Sequence, residues 1–358
     1  MHANNGIWET ICMREEEKMK ALFIGGTGTI SMAITRLLAQ DPEWEVYVLN
    51  RGTRTTELPE GVRSITADIR SEKQAADAIE GLRFDCVCDF IAYTPEEVKR
   101  DYRLFAGKTK QYIFISSASA YKKPVGDCVI TESTPLYNPY WQYSRDKIAC
   151  EELLMGLYRG EGFPVTIVRP SHTYDERKAP VSVRGDKGAW QVMKRMLEGK
   201  PVLVHGDGTS LWTLTYHTDF AKGFVGLAGN PRAIGEAYHI TSDESVTWNQ
   251  IYAVIADELG AAYQPYYVPS DFLHAAGKYE FMGTLTGDKA NSVIFDNSKI
   301  KRAVPGFCCT VRADQGLRRA VRYMLSHPEL QVEDPEFDAW CDRVIDALEA
   351  VKAAVLRG

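Results

Sequence analysis

The first half of the chain alternates short apolar runs with segments of helical spacing. Uninterrupted apolar runs are typical of parallel strands that are covered on both faces, and the segments between them predict crossover helices at 30–38 and 143–158. We therefore predict an α/β fold with a doubly wound parallel sheet of the Rossmann type. Its six predicted strands are 21–24, 46–49, 64–67, 86–89, 112–115 and 165–168.

The pattern becomes irregular after about residue 175, which predicts a smaller α/β part laid over the carboxyl edge of the sheet. We expect isolated strands at 202–204 and 238–240 and helices at 248–259 and 316–325. The segment 337–356 carries one apolar stripe, which indicates core packing or a dimer contact. That stripe consists of Trp340, Val344, Leu348, Val351 and Val355.

The composition argues against several classes of partner and site but does not itself indicate a function. The 358 residues are 45% hydrophobic and 25% charged with a net charge of -6, which argues against nucleic acid or an anionic membrane as a partner. Eight cysteines without a CxxC pair predict free buried thiols and no metal site. Residues 1–19 lack the apolar stretch of a signal peptide and are interpreted as a loose extension, so we expect a cytoplasmic protein.

A glycine-rich segment, Gly25-Gly26-Thr27-Gly28, leads from the first predicted strand into the first predicted helix. Glycines permit a tight turn and a close approach of the backbone to a pyrophosphate, and the helix N-terminus supplies unpaired N–H groups. The segment therefore predicts a nicotinamide dinucleotide site. Ser31 occupies the third glycine position of the pattern, where a small side chain should be tolerated.

The second predicted strand ends in Asn50-Arg51, where folds specific for NAD carry an acidic residue for the ribose hydroxyl. Asn50 can bond a ribose, and Arg51, with Arg54 nearby, can pair with a 2′-phosphate. Both arginines can equally be solvated surface charges. The pattern favours NADP modestly over NAD.

Tyr143 and Lys147 lie four residues apart and hence on one face of a helix. A nearby ammonium and an oxidised nicotinamide both favour a phenolate, so Tyr143 can act as a general acid or base. Ser116, Ser117 and Ser119 follow the fifth predicted strand, where a hydroxyl can hold a substrate oxygen beside Tyr143. Ser116 and Ser119 also fit a hydrogen-bonded strand end.

With these motifs in this order, the chain resembles the extended short-chain dehydrogenase/reductase family, in its NAD-dependent epimerase/dehydratase branch. The resemblance runs from Lys20 to about Gly260 and includes Arg169-Pro170, Gly206-Asp207-Gly208 and Asp219. It implies that Ser117 polarises the substrate oxygen, Tyr143 is the acid/base, and Lys147 binds the nicotinamide ribose and lowers the tyrosine pKa. The residues it implies for the cofactor are Gly25, Thr27, Gly28, Thr29, Ile30, Asn50, Arg51, Asp68, Ile69, Phe90, Ile91, Ala92, Tyr143, Lys147 and Pro170.

The chain departs from the sugar-nucleotide members of this family at three places. Ala118 and Ser119 replace the acidic pair of the dehydratases, so we do not expect dehydration. Trp212 stands where those members carry an arginine that clamps the diphosphate, and His172 stands where they often carry an asparagine. An indole cannot replace a guanidinium against phosphates, but it can stack on a sugar face or pack in the interior. Ser119, His172 and Trp212 are the candidate substrate residues.

The predicted organisation is therefore a dinucleotide-binding part, 20–175, to which the chain returns around 213–241. A mainly substrate-binding part spans 176–333, and a helix spans 334–358. We expect an NAD(P)-dependent epimerase or dehydrogenase/reductase acting on a small, sugar-like substrate that is not a nucleoside-diphosphate sugar, in a homodimer. The alternative is a non-catalytic protein that uses the same fold to bind RNA or to regulate.

Overall fold

The computed structural model describes residues 18–52 and 57–357. The predicted extension 1–19 falls outside these residues except for its last two, and Met19 already begins the first strand. Arg54 also lies outside the described residues.

Helices and short strands alternate along the chain. The strands are β1 (Met19–Ile24), β2 (Trp44–Asn50), β3 (Arg63–Thr66), β4 (Cys86–Asp89), β5 (Tyr112–Ile115), β6 (Val129–Ile130), β7 (Val165–Pro170), β8 (His172–Tyr174), β9 (Val202–His205), β10 (Leu211–Trp212), β11 (Leu214–Tyr216), β12 (Ala237–Ile240), β13 (Val246–Thr247), β14 (Pro265–Val268) and β15 (Ile294–Phe295).

The helices are α1 (Thr29–Leu38), α2 (Glu72–Ala78), α3 (Pro95–Phe105), α4 (Gln142–Glu161), α5 (Trp190–Leu197), α6 (His217–Leu227), α7 (Trp248–Leu259), α8 (Ser270–Ala275), α9 (Ser298–Ala303), α10 (Ala313–Ser326) and α11 (Pro335–Val355). Short 3₁₀ turns occupy Ala118–Ala120, Pro231–Ala233 and Pro328–Leu330, and Met282–Lys289 forms a π-helical segment.

A parallel sheet of seven strands, in the order β3-β2-β1-β4-β5-β7-β12, organises the molecule. Helices α1 and α6 pack on one face, and α2, α3 and α4 pack on the other. Strands β1, β4 and β5 are buried along most of their length, as their uninterrupted apolar runs require. The predicted doubly wound α/β fold is confirmed.

The segment 238–240 was predicted to be an isolated strand. It lies instead in β12, the seventh strand of this sheet. It pairs in parallel with β7, with Tyr238 opposite Val168 and Ile240 opposite Pro170. The pairing joins segments about 70 residues apart, and the alternation of apolar and polar residues does not report the partner of a strand.

A second apolar core lies under the remaining elements. Trp248 and Ile251 of α7 are fully buried there with Val202 of β9 and Leu317 of α10. Trp340 at the start of α11 packs edge-on against Tyr279 at 5.2 Å. The apolar stripe of α11 is buried at Trp340 and Val344 and exposed at Val351 and Val355.

Cysteines in the described part of the chain are free thiols. Four of them are buried, as expected, whereas Cys128 and Cys308 are exposed. Among the described helices, none combines the length and the apolar character needed to cross a bilayer.

Gln111 connects the sheet with helix α6. Its side-chain amide donates to the Thr166 hydroxyl of β7 at 2.9 Å and to the Leu227 carbonyl at the end of α6 at 3.0 Å. Its carbonyl oxygen accepts from the Gly229 N–H at 2.7 Å. Gln111, Thr166 and Leu227 are buried, and Gly229 is half-buried, so these hydrogen bonds replace contacts with water that the interior does not supply.

We predict that Gln111→Leu lowers the free energy of unfolding by about 2 kcal/mol, since it removes the acceptor of the Gly229 N–H and one donor each from the Thr166 hydroxyl and the Leu227 carbonyl. Urea denaturation followed by circular dichroism measures the change. The matched control is Gln40→Leu at an exposed position, which should change the same quantity by less than about 0.5 kcal/mol. Equal stability of the Gln111 variant and the wild type would contradict the assigned connection.

Candidate active site

The turn between β1 and α1 requires glycine at its first position. Gly25 has a φ of 78°, in the left-handed region, and a Cβ added there would lie 2.7 Å from the Ile91 side chain. A Cβ at Gly26 would lie 2.9 Å from Val48. The loop therefore lies directly against the ends of β2 and β4, and its backbone is exposed to a ligand from the opposite side.

Ser31 was predicted to be tolerated for its small size, and its hydroxyl also forms hydrogen bonds within this loop. Its hydroxyl donates to the Gly25 carbonyl at 2.8 Å and accepts from the Gly28 N–H at 2.8 Å. Thr35, one turn later, donates to the Gly26 carbonyl at 3.1 Å. Two hydroxyls of α1 thus hold the loop at three points, which gives the loop a single shape before any ligand arrives.

A cleft of about 560 Å³ opens at the N-terminus of α1, between this loop and the ends of β2, β3 and β4. Glycine backbone, the helix N-terminus and apolar walls are what a dinucleotide requires, so the residues present fit that group. The predicted cofactor residues that line the cleft are Gly25, Thr27, Gly28, Thr29, Ile30, Asn50, Arg51, Asp68, Ile69, Phe90 and Ile91.

The adenosine end of the cleft carries the polar residues that follow β2 and β3. The Asn50 side-chain oxygen accepts from the Gly52 N–H at 2.8 Å, so its amide nitrogen is the group left to meet a ribose. Asp68 binds the guanidinium of Arg70 at 3.1 and 3.2 Å, which lowers the pKa of that carboxyl. Arg51 is exposed on the cleft wall.

Lys147 lies inside the protein, 2% exposed, and holds the ends of two neighbouring strands together. Its ammonium donates to the carbonyls of Ala92, after β4, and of Ile115, in β5, both at 2.7 Å. Burial lowers the pKa of Lys147 to about 8. One of its three N–H donors remains for a ligand. Ala92, also predicted for the cofactor, is buried and contributes its carbonyl to Lys147.

Tyr143 lies one helical turn before Lys147, and the ammonium is 5.8 Å from the centre of its ring. Burial raises the pKa of Tyr143 to about 12, and the Ser117 hydroxyl acts in the opposite direction. Tyr93 and Asp288 act in the same direction as burial, so the Tyr143 phenol carries a proton that it can donate. The lowering of this pKa by Lys147 and a bound nicotinamide stays a prediction.

A chain of three hydroxyls runs beside Tyr143. Ser144, fully buried on α4, donates to the Ser119 hydroxyl at 2.7 Å, and Ser119 lies 2.9 Å from the Ser117 hydroxyl. The Ser119 N–H also donates to Ser117 at 3.2 Å. Because Ser117 accepts from Ser119, its own proton is free to point at Tyr143 or at a substrate oxygen.

A smaller cavity of about 330 Å³ adjoins Tyr143 on the side of the second core. Ser117, Ser119, Tyr143, Pro170, His172 and Trp212 all line it. Pro170, predicted for the cofactor, thus lines this second cavity. Tyr93, on the wall of the dinucleotide cleft, stands 6.3 Å from Tyr143, so the two cavities meet at this pair of rings.

The two residues that depart from the family pattern take different places in the smaller cavity. Burial lowers the pKa of His172 to about 3, helped by the positive charges of Lys289 and Arg184, so His172 is neutral and cannot serve as a cationic acid. Trp212 is 4% exposed and packs on Trp248 at 5.7 Å. Trp212 therefore belongs both to the core and to the cavity wall.

Five residues of the site were missed by sequence reasoning. Trp141 packs on Tyr143 at 4.9 Å and Ser144 follows it directly, so their nearness to the Tyr-x-x-x-Lys pattern was a usable signal. Lys123, Asp288 and Lys289 also line the smaller cavity. They come from an irregular loop and from the π-helical segment, for which the sequence has no comparable pattern.

The chain is similar to known proteins. A model of the NAD dependent epimerase/dehydratase family matches residues 21–241. The 2′-dehydrokanamycin reductase of Streptomyces kanamyceticus is 26% identical over 301 residues, which cover 83% of this chain and 82% of the reductase. The chloroplast stem-loop binding protein of 41 kDa b from Arabidopsis thaliana is 25% identical over 269 residues, 71% of this chain and 67% of that protein.

A solved structure of another protein has a similar fold. The dTDP-glucose 4,6-dehydratase of Bacillus anthracis, in complex with NAD, superposes with a TM-score of 0.69 at 17% identity and covers 87% of this chain and 98% of its own. At that identity the likeness shows the fold. The family model, in contrast, covers well over half of the chain and extends from the glycine loop to the returning strand β12. This protein therefore belongs to the NAD-dependent epimerase/dehydratase family and is an NAD-dependent enzyme of the extended short-chain dehydrogenase/reductase type.

Proposed function

We propose that this enzyme moves a hydride between a nicotinamide dinucleotide and a carbinol or carbonyl carbon of a small, sugar-like substrate, with Tyr143 as the acid/base. The observation that carries the proposal is the position of Tyr143 and Ser117 on the wall of a cavity that meets the dinucleotide cleft. A nicotinamide bound in that cleft supplies or accepts the hydride. The protein's own groups manage the substrate oxygen and its proton.

In the direction of reduction, the Ser117 hydroxyl donates a hydrogen bond to the carbonyl oxygen and holds it beside Tyr143. The Tyr143 phenol gives its proton to that oxygen as the carbon gains the hydride. The phenolate that remains faces Ser117 and lies on the same helix face as the Lys147 ammonium, both of which stabilise its charge. In oxidation the same proton returns to Tyr143.

Two features support a substrate that is not a nucleoside-diphosphate sugar. Trp212 replaces the expected arginine on the cavity wall, and a neutral indole offers no bidentate contact to a diphosphate. The cavity volume of about 330 Å³ is at the lower end of ligand pockets and suits a single ring. The similar reductase of Streptomyces kanamyceticus is named for 2′-dehydrokanamycin, whereas other relatives are named for UDP-glucose or dTDP-glucose.

The choice between epimerase and dehydrogenase/reductase depends on whether the cofactor leaves between turnovers. An epimerase returns the hydride to the opposite face and retains its cofactor, whereas a dehydrogenase exchanges it. Absorbance of the purified, denatured protein at the nicotinamide wavelengths measures retained cofactor, and stoichiometric retention would favour the epimerase.

For the cofactor, we propose a modest preference for NADP, because Arg51 stands where an acidic residue would bind the ribose hydroxyls of NAD.

The alternative of an RNA-binding protein is less well supported, since the Ser117, Tyr143 and Lys147 set is complete and the chain is acidic. We also propose that it acts as a cytoplasmic homodimer.

We predict that Tyr143→Phe lowers kcat by about 10²- to 10⁴-fold, because it removes the proton donor. Dinucleotide affinity, measured by fluorescence titration, should remain unchanged. Turnover is measured as the change in nicotinamide absorbance against a panel of sugars, keto-sugars and sugar acids. The control Tyr137→Phe alters an exposed phenol outside both cavities and should retain activity. Full turnover by the Tyr143 variant would exclude the proposed mechanism.

Arg51→Ala is expected to weaken NADP binding about tenfold by removing a charge-assisted contact to the 2′-phosphate, with little effect on NAD. Calorimetric titration with each dinucleotide measures both affinities. Arg36→Ala, an exposed position at the far end of α1, is the matched control. An equal loss for both dinucleotides would show that Arg51 does not read the 2′-phosphate.

Ser144→Ala should lower kcat about tenfold while KM and dinucleotide affinity stay near the wild-type values, because Ser119 loses the donor that directs its own proton to Ser117. Ser144→Thr, which retains the hydroxyl, should recover most of the activity. Steady-state kinetics measure kcat and KM for both variants and for Ser133→Ala, the control at an exposed position. A parallel loss in the threonine variant would indicate that Ser144 acts through packing alone.

A further inference from the structure

Three charged side chains line the smaller cavity, and hydride transfer uses none of them. They are Lys123, Asp288 and Lys289, and they are the charged groups among the described residues of the cavity wall. Because His172 is neutral, they give the cavity one net positive charge. The whole chain, in contrast, carries a net charge of -6.

Lys123 is the most constrained of the three. It is 2% exposed, and among the described residues its ammonium has no hydrogen bond or ion pair. Its neighbour Lys122 points into solvent. A buried ammonium without a partner is costly, and such groups are usually paired. The cavity is the direction from which a partner can reach it.

Asp288 and Lys289 project from the end of the π-helical segment Met282–Lys289. The Asp288 carboxylate has no hydrogen bond to any described residue, and the Lys289 ammonium donates to the Thr284 carbonyl at 3.2 Å. Burial raises the pKa of Asp288 and lowers the pKa of Lys123 and of Lys289, while their mutual attraction opposes each change. Lys123 is buried and Asp288 and Lys289 are half-buried on the cavity wall, where a ligand can supply hydrogen bonds that the described residues do not.

The backbone beneath these side chains is held by neighbouring groups. Asn138 donates to the Gly287 carbonyl at 2.7 Å, and Trp248 and Ser210 donate to the Lys289 carbonyl, both at 3.1 Å. The segment ends with an i to i+5 hydrogen bond, from the Ala290 N–H to the Leu285 carbonyl. π-helical turns of this kind often occur at functional sites. The two side chains are therefore positioned before a ligand arrives.

We infer that Lys123 and Lys289 form a subsite for an anionic substituent, a carboxylate or a phosphate, on the sugar-like substrate, with Asp288 accepting from a neighbouring hydroxyl. Two ammonium groups can bind the anionic oxygens, and Trp141 and Trp212 supply flat apolar surface for the ring. The inference deepens the proposed function and rests on it. It predicts that the substrate is a sugar acid or a sugar phosphate.

Titration calorimetry of the dinucleotide complex with four matched probes tests this subsite. D-glucuronate and D-glucose 6-phosphate are anionic, D-glucose is neutral, and D-glucosamine is cationic. We expect at least one anionic probe to bind about tenfold more tightly than D-glucose, and D-glucosamine to bind more weakly. The tighter of the two anions identifies the substituent. Equal binding of the four probes, or no binding of either anion, overturns the inference.

Lys123→Met and Lys289→Met should each abolish most of the preference for the anion while leaving dinucleotide affinity unchanged, which also reports that the variants fold. Lys122→Met, an exposed lysine next to the subsite, is the matched control and should retain the preference. Asp288→Asn should bind the anion at least as tightly as the wild type, because it removes a negative charge. Weaker anion binding by that variant would contradict the assigned roles.

The binding preference is measured without turnover, so its outcome is separate from that of the proposed function. If wild-type protein shows no preference for the anion and Tyr143→Phe is inactive, the subsite is excluded and the proposed hydride transfer is supported. If wild-type protein prefers the anion and Tyr143→Phe is fully active, the subsite is supported and the proposed role of Tyr143 is excluded.

Discussion

The arrangement of this site depends on one buried ammonium. Lys147 reaches from α4 to the carbonyls of Ala92 and Ile115 and so joins the helix to the ends of two adjacent strands. Tyr143 lies one turn earlier on the same helix, and Ser117 follows the strand that Lys147 holds. A shift of the ammonium would therefore separate the phenol from the hydroxyl that must act with it, because both are placed through the same two hydrogen bonds.

Burial has opposite consequences for the two partners. It lowers the pKa of Lys147 to about 8 and raises the pKa of Tyr143 to about 12, so the helix presents a proton-bearing phenol rather than a phenolate. The Ser144, Ser119 and Ser117 hydroxyls give that proton a defined neighbour. The proposed catalytic groups are thus neutral or already hydrogen-bonded, and the charged side chains of Lys123, Asp288 and Lys289 lie on the wall of the smaller cavity.

Much of the fold and part of the site could be read from the sequence because they depend on local patterns. Apolar runs locate the central strands, and Gly25 and the Tyr143 and Lys147 spacing are features of single turns. The return of the chain to the dinucleotide-binding part around 213–241 was predicted, but the partner of β12 was not, since it depends on a pairing with β7 across about 70 residues. The same holds for Lys123 and Asp288, which tertiary packing brings to one cavity from distant segments. Spacing along the helix also indicated the ammonium near Tyr143 but not the loss of water, which raises the pKa of this phenol.

The π-helical segment at 282–289 has a consequence for how such an enzyme can change over time. Its side chains line the smaller cavity, and its backbone is anchored to Asn138, Ser210 and Trp248. Asn138 also donates to the Ser119 carbonyl, and the Asp288 carboxylate raises the pKa of Tyr143. A substitution at position 288 would therefore change the charge offered to a ligand and the proton affinity of Tyr143 together, so that the two properties cannot diverge independently.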